Sequence, residues 1–354
     1  MTTTILCAGA LARPRPATPG DDPGSGTPAL AANGALARTI RRARIAGRSR
    51  QTALVPEELP HEAWLRECFA VDGAVAACAL PARNDVAGPE LLVRPVHLHL
   101  ALDHLVLAPP ESLGLDPEEA GQLADRANAV LADEGLRLSV LDPGLWRLGT
   151  SDAHRATDDL AALAQLLARS ARMAVGRNVD AYLPSGTAAR RWRQLANLVQ
   201  MSWFEHPLNL AREASGRLVV NGLWLEGRAG RPGAHPFARV LAADEVVAGL
   251  ARRAGIESRP LAADAAADSG ALLLAPDFWR RPVADGDTDG WMQAWQSFDR
   301  WFDALLATAP RVAAGGVRLV LTGERSTIEL LGLPADRWKP WRRLALAALL
   351  REDT

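Results

Sequence analysis

The chain is poor in lysine, tyrosine and cysteine. Among 354 residues it holds 40 basic side chains, only one of them a lysine, Lys339, and a single tyrosine, Tyr182. Three cysteines, Cys7, Cys68 and Cys78, form no C-x-x-C pair and no cluster with histidine at zinc spacing, which argues against a disulfide framework or a zinc module and for a reducing setting. No apolar run reaches the ~18 residues that span a bilayer, and residues 5–12 lack the basic flank and the length of a signal core. The expectation is a soluble, cytoplasmic protein. Net charge is also missing: 40 basic against 41 acidic side chains leave -1, so no global field draws the chain to nucleic acid or anionic lipid. P-loop, G-x-G-x-x-G and G-x-S-x-G signatures are absent, since Gly24-Ser25-Gly26 has the wrong spacing.

What is present is apolar surface. At 48% hydrophobic and 23% charged residues the chain can bury a large core, which excludes disordered, collagen-like and coiled-coil classes. Residues 2–8 read as a short buried strand, and the Pro- and Gly-rich residues 13–28 as a loop. Residues 29–45 have a helical pattern that ends in Arg38, Arg41, Arg42, Arg44, Arg48 and Arg50 with no acid among them. That run suits a phosphate or nucleic-acid patch, but no aromatic side chain lies near it for base stacking, so a solvated helix face is the simpler reading. Residues 60–70 suggest a helix carrying Trp64.

Residues 93–107 alternate histidine with aliphatics, placing His97 and His99 on one face of a strand with His104 nearby. A metal site there lacks a carboxylate or thiol partner, and an open strand face explains the pattern equally well. Asp116-Pro117-Glu118-Glu119 spells a capped helix start, and the helix stops at Gly135. A hairpin follows around Asp142-Pro143-Gly144. Residues 158–173 and 186–203 are helical in pattern, with Ser185 as a cap. From residue 237 strands alternate with helices: strands at 237–241, 271–275 and 317–322, helices at 245–255, 289–307 and 341–350. This order implies a mostly parallel sheet covered on both faces. The helix at 289–307 gathers Trp291, Trp295, Phe298, Phe302 and Leu305 on one face, a core stripe rather than a ligand surface.

Four collinear pieces resemble the archaeal-type cofactor-independent phosphoglycerate mutases of the alkaline phosphatase superfamily. TTTILCAGALARP followed by GTPALAANGALARTIRRARIAG is similar to that family's opening strand, metal-binding Asp-Gly turn and following helix. HPLNLAREASGRLVVNGLWLEGRAG is similar to its Asn-x-x-Arg and Asn-x-Ile-Trp-x-Trp-Gly-x-Gly motif. LLLAPDFWRRPVADGDTDGWMQAWQSFDRWFDALL resembles the strand, Asp-x-x-x-His turn and helix that carry two further metal ligands. RLVLTGERSTIE resembles the strand ending Thr-Gly-Asp-His-Ser-Thr-Pro. A likeness to uncharacterised bacterial proteins labelled phosphoglycerate mutase or regulatory protein rests on PVHLHLALDHLVL, LPSGTAARRWRQLANLVQM, HPLNLARE and VNGLWL.

The resemblance implies a three-layer α/β sandwich with a mostly parallel sheet, built from residues 1–54 and 221–354 and interrupted by an inserted α+β domain at 55–220. It also implies a two-metal phosphotransfer site, and here the chain departs. The ligand of the first turn becomes Ala8. Asp277 survives, but its His partner falls on Arg281, and the Asp-His pair becomes Glu324-Arg325. A guanidinium has no lone pair to ligate with and repels a cation. In the second motif Asn209, Arg212, Asn221 and Trp224 match, whereas Trp-Gly-x-Gly becomes Glu226-Gly227-Arg228-Ala229.

The leading expectation is therefore a catalytically inactive relative with a binding or regulatory role and no cofactor or metal. Arg281 and Arg325 would hold a small anionic ligand, or a protein partner would be bound; neither membrane nor nucleic acid is expected as a partner. The alternative is an active metal-dependent phosphotransferase or phosphatase, using manganese or zinc on Asp277, Glu324, Asp285, Asp287 and Asp289. For Ser326-Thr327 a strand-end turn is favoured over a nucleophile.

Overall fold

Five residues buried without a break, Thr3–Cys7, make β1, the run expected of a strand covered on both faces. The computed structural model describes residues 2–14, 27–31, 34–81, 88–101, 103–151, 158–261, 271–339 and 341–351. After β1 come α1 (Ala35–Arg42), β2 (Arg44–Arg50) and α2 (Pro60–Phe69). Most of the expected 13–28 loop lies outside the described residues. The helix expected over 29–45 is shorter and gives way to a strand. Ala43 turns to extended backbone, and Ile45 and Gly47 alternate with exposed Arg44, Ala46 and Arg48 at period two.

The chain divides into two units, Met1–Ala70 with Pro232–Thr354, and Val71–Arg231. Both boundaries lie later than the 54/55 and 220/221 expected from sequence. The entering and leaving chains are zipped together, with Asp72 and Arg231 exchanging backbone hydrogen bonds of 3.2 and 3.1 Å. The approach is close enough that a Cβ on Gly230 would lie 2.2 Å from Val71 and 2.5 Å from the Asp72 carbonyl, so only glycine fits there.

Within residues 71–231 the order is β3 (Leu91–Val96), β4 (Leu98–Ala101), β5 (His104–Leu107), α3 (Pro117–Leu131), β6 (Leu136–Asp142), β7 (Leu145–Thr150), α4 (Asp158–Leu163), α5 (Ala171–Ala174), α6 (Thr187–Phe204), α7 (Pro207–Ala214) and β8 (Gly222–Arg228). Antiparallel β6-β7-β3-β8 form a four-stranded sheet and β4-β5 a separate hairpin. The α3 start is as its sequence spells it: the Asp116 side chain accepts from the Glu119 amide at 2.8 Å, and Glu119 reaches back. Leu123, Ala127 and Leu131 of α3 pack with Trp192, Leu195 and Val199 of α6 and with Trp146.

Two sequence expectations fail here for tertiary reasons. Residues 93–107 fall in three strands: β3 and β4 part where the Asn221 side-chain amide bonds both the N–H and the carbonyl of Leu98, at 2.7 Å each, and β4 and β5 pair as an antiparallel hairpin. Residues 158–173 are not one helix: it ends at Leu163 and restarts at Ala171, whose amide donates to the buried Glu226 carboxylate at 3.2 Å.

In the other unit follow β9 (Arg239–Ala242), α8 (Glu245–Arg253), β10 (Glu257–Pro260), β11 (Leu272–Ala275), α9 (Arg280–Ala284), α10 (Thr288–Thr308), α11 (Pro310–Gly315), β12 (Val317–Thr322), β13 (Ser326–Gly332) and α12 (Leu346–Leu350). With β1 and β2 they build a seven-stranded sheet, β10-β9-β11-β1-β12-β13-β2, parallel from β10 to β12 and antiparallel at β13 and β2. Ile5, Leu274 and Leu319 on one face meet Trp295, Phe298 and Phe302 of α10, Leu36 of α1 and Leu349 of α12. On the opposite face the Trp64 indole of α2 donates to Glu329 of β13 at 3.1 Å. The unit is thus a mixed α/β layer structure with a mostly parallel sheet. The helix expected over 341–350 begins only at Leu346. Among the described residues no helix is long and apolar enough to cross a membrane.

Candidate ligand site at the carboxyl edge of the parallel sheet

In an open parallel sheet, ligands lie beyond the carboxyl ends of the strands. Here β9, β11, β1 and β12 end at Ala242, Ala275, Cys7 and Thr322, and Asp244, Asp277, Ala8-Gly9 and Gly323-Glu324 follow. Gly9 turns the chain at φ +78°. Its amide donates to the Thr322 hydroxyl at 3.1 Å, and the Leu11 amide to the Thr322 carbonyl at 2.9 Å. The first turn is thus closed by the buried end of β12 and offers no acid of its own, since its residue is Ala8.

The charged centre of this edge is a triad that sequence reasoning missed. Arg280 reaches Asp277 at 2.6 Å and Asp244 at 3.4 Å. The two carboxylates are about four-fifths covered and the guanidinium two-thirds, with side-chain exposures of 18, 17 and 33%. Asp244 also caps α8, accepting from Val246 at 2.8 Å. Two signals were legible in principle: Asp277 and Arg280 stand at helical i, i+3 spacing, and Asp244 follows a strand directly.

The residues singled out from sequence sit differently. Arg281 is 88% exposed and pairs with Asp285 on its own turn at 3.4 Å. Arg325 donates to the backbone carbonyls of Ala53 and Leu54 at 2.9 and 2.8 Å. The guanidinium that pairs with Asp277 at 2.6 Å is that of Arg280. Glu324 lies in the turn between β12 and β13. The DGDTD loop serves its helix: Asp287 caps α10 by accepting from Gly290 at 2.8 Å, and Asp289 occupies the first turn. Ser326 and Thr327 are buried at the start of β13, and the Thr327 hydroxyl lies 3.5 Å from the Pro60 carbonyl. They are strand residues rather than a turn.

These residues do not fit a two-metal centre. A pair of divalent cations carries about +4 and needs several oxygen or imidazole donors. Asp244 and Asp277 supply two carboxylates already spanned by a fixed cation. Among the described residues no three His, Cys, Asp or Glu side chains gather as such a centre requires. Burial pushes the Cys7 thiol far above its ordinary value, and partial burial lifts that of half-buried Cys68 to about 12, with Glu329 adding to the latter, which makes both poor nucleophiles.

The four matching residues of the second motif belong to residues 71–231, where they serve the backbone. Asn209 donates to the carbonyls of Trp203 and Val220, at 3.0 and 2.8 Å, and accepts from the Val220 amide at 2.9 Å. Arg212, with a fully buried side chain, bonds the Leu218 carbonyl at 2.8 Å, Glu119 at 2.5 Å and the Leu113 carbonyl. Burial lowers its affinity for a proton, opposed by the Glu119 charge, yet a guanidinium stays charged. Asn221 holds Leu98, and the Trp224 indole donates to the Arg169 carbonyl at 2.7 Å. Within Glu226-Gly227-Arg228-Ala229, the Glu226 carboxylate is buried against Arg94 at 2.9 Å. Gly227 keeps φ +107°, with Ala74 and Ala168 within 3.2 Å of where a Cβ would stand. The histidines are likewise occupied: His97 Nδ1 lies 2.9 Å from the Val219 carbonyl, its ring stacks on His99 at 6.2 Å, and His104 Nδ1 lies 2.9 Å from Asp103.

No family model matches the chain, and no curated protein matches it in sequence. Among solved structures, a cofactor-independent phosphoglycerate mutase from Thermoplasma acidophilum DSM 1728 is similar with a TM-score of 0.41 and 13% identity, over 99% of this chain and 98% of that one. The PH0037 protein from Pyrococcus horikoshii is similar with a TM-score of 0.55 and 14% identity, over 98% of this chain and 92% of that one. The chain therefore shares its fold with PH0037 over most of both chains.

Proposed function

We propose that this chain is a phosphoglycerate-mutase-like protein of alkaline-phosphatase-superfamily ancestry that has lost catalysis and serves a binding or regulatory role. One observation carries the reading: Arg280 spans Asp277 and Asp244 at 2.6 and 3.4 Å at the sheet edge where the resemblance expects metal. A guanidinium held between two carboxylates satisfies charge that a cation would otherwise satisfy. The neighbouring first turn, with Ala8 in place of an acid, supports the same reading. Asn209, Arg212, Asn221 and Trp224 are kept as architecture, which a fold retains after its chemistry is gone. A small anionic ligand has a candidate contact in the exposed Arg281. Three free thiols, two of them buried, support a reducing cytoplasmic setting.

The test is calorimetry of the purified chain with manganese and with 3-phosphoglycerate, beside a mutase and phosphatase assay. The expected result is no heat of manganese binding and no turnover. Tight manganese binding with turnover that vanishes in Asp277→Asn would replace this reading by an active metal-dependent phosphotransferase.

A further inference from the structure

The fold joins two basic stretches that lie far apart in the sequence. The Leu344 amide donates to the Arg41 carbonyl at 3.1 Å, and the Arg342 guanidinium to the Arg42 carbonyl at 3.3 Å. The last turns of α1, with Arg38, Arg41 and Arg42, thus lie against the segment containing Trp338, Lys339, Trp341, Arg342 and Arg343. Both tryptophans are 72% exposed, an unusual state for the side chain with the most apolar surface to lose. The Asp336 carboxylate in the same segment is buried and pairs with Lys339 at 2.9 Å and Arg342 at 3.0 Å. Burial disfavours its charge, but the Leu333 amide and the two cations hold its carboxyl below the ordinary range. Beside it a concave pocket of about 210 Å³ is walled by Arg38, Thr39, Arg42, Leu333, Pro334 and Asp336.

No aromatic side chain lies near Arg38–Arg50 in sequence, but the fold brings the segment carrying Trp338 and Trp341 to the Arg41–Arg42 end of α1. We propose that this face binds single-stranded nucleic acid, with bases stacked on Trp338 and Trp341 and phosphates along Arg41, Arg42 and Arg343. Exposed indoles three residues apart, interleaved with cations, suit successive unstacked bases. A duplex keeps its bases stacked and offers such indoles little. The guanidinium fork matches phosphate oxygens. With a net charge of -1 the whole chain exerts no general pull on a polyanion, so binding is confined to this face.

The experiment is fluorescence anisotropy of the full chain with a labelled single-stranded RNA of ~12 nucleotides, repeated from ~50 to ~200 mM salt. Expected are salt-dependent binding, a loss of about tenfold for each of Trp338→Ala and Trp341→Ala, an intermediate loss for Trp→Phe at either position, and a shallower salt slope in Arg41→Glu/Arg343→Glu. Melting curves establish that each variant is folded; if an alanine variant is not, the phenylalanine variants decide. The proposal is overturned by absence of binding at low salt, by affinity unchanged in both tryptophan variants, by equal affinity for duplex, or by binding to phosphatidylserine vesicles in place of RNA.

Discussion

Arg212 and Arg280, one in each unit, each face carboxylate, and their surroundings set them apart. Arg212 is buried to 0% side-chain exposure and spends its donors on Glu119 and on the carbonyls of Leu113 and Leu218. Arg280 remains one-third exposed and touches carboxylates at the open edge of a sheet. The first is a cross-brace that ties the start of α3 to the end of α7. The second is a charge clamp facing solvent. Arg212 matches a motif in sequence and Arg280 does not, yet it is the clamp that stands where a parallel sheet places ligands. A residue that matches a motif therefore says less about chemistry than its place in the fold does.

The largest expected effect separates the two arginines by stability. Arg212→Met leaves buried Glu119 with only the half-exposed Arg217, at 2.9 Å, as cation and orphans the carbonyls of Leu113 and Leu218, so it should cost about 3 kcal/mol, read as an early transition of residues 71–231 in scanning calorimetry. Arg280→Met should cost less than about 1 kcal/mol, because its pair is partly solvated. Equal losses at the two positions would abolish the distinction drawn between brace and clamp.

Much of this was legible beforehand, and the failures have physical causes. β1, the α3 capping box, the hairpin at Asp142-Pro143-Gly144, α6 and the aromatic face of α10 all follow from local pattern, and the structure has them. Tertiary partners decided the rest. Asn221 splits the run at 93–107, Glu226 restarts the chain at Ala171, and β13 turns the basic end of the expected first helix into an edge strand. Charged residues on such an edge discourage pairing with a further strand. At the site, the motif points to Asp277 and places Arg281 and Arg325 as contacts for an anionic ligand, whereas Arg280, three residues on from Asp277, makes the ion pair. Asp244 carried no motif, and only the strand order β9-β11 brings it beside Asp277.

A second expected effect sharpens the contrast through chemistry. Arg280→Ala removes the internal cation from Asp244 and Asp277 and leaves two partly buried carboxylates that repel each other. That variant should gain weak, chelator-reversible manganese binding by calorimetry, a hard cation being the natural substitute for the lost charge. Arg281→Ala, by contrast, removes an exposed side chain paired only loosely with Asp285, and its manganese isotherm should match that of the unaltered chain. Manganese uptake by the unaltered chain equal to that of Arg280→Ala would show that the guanidinium occupies nothing a metal wants.

The smallest effect belongs to the scaffold side and is set by pH. His206 caps α7, its Nδ1 accepting from the Leu208 amide at 3.2 Å, and that contact requires an unprotonated nitrogen. Burial, and then the nearby charge of Arg126, lower its proton affinity below the ordinary histidine value of 6.5. Between the folded value and 6.5 the unfolded chain holds the proton more often, so stability rises with pH across that window. The contribution is complete above the unfolded value and is lost as pH falls through the folded one. Loss of a cap is worth about 0.5–2 kcal/mol, and a titrating ring should show the lower part of that range. His206→Asn keeps a capping acceptor without a proton to gain. The melting temperature of residues 71–231 should then cease to fall between neutral and mildly acidic pH in this variant. A fall of equal size in His206→Asn would assign the pH dependence to other groups and leave the cap without a part in it.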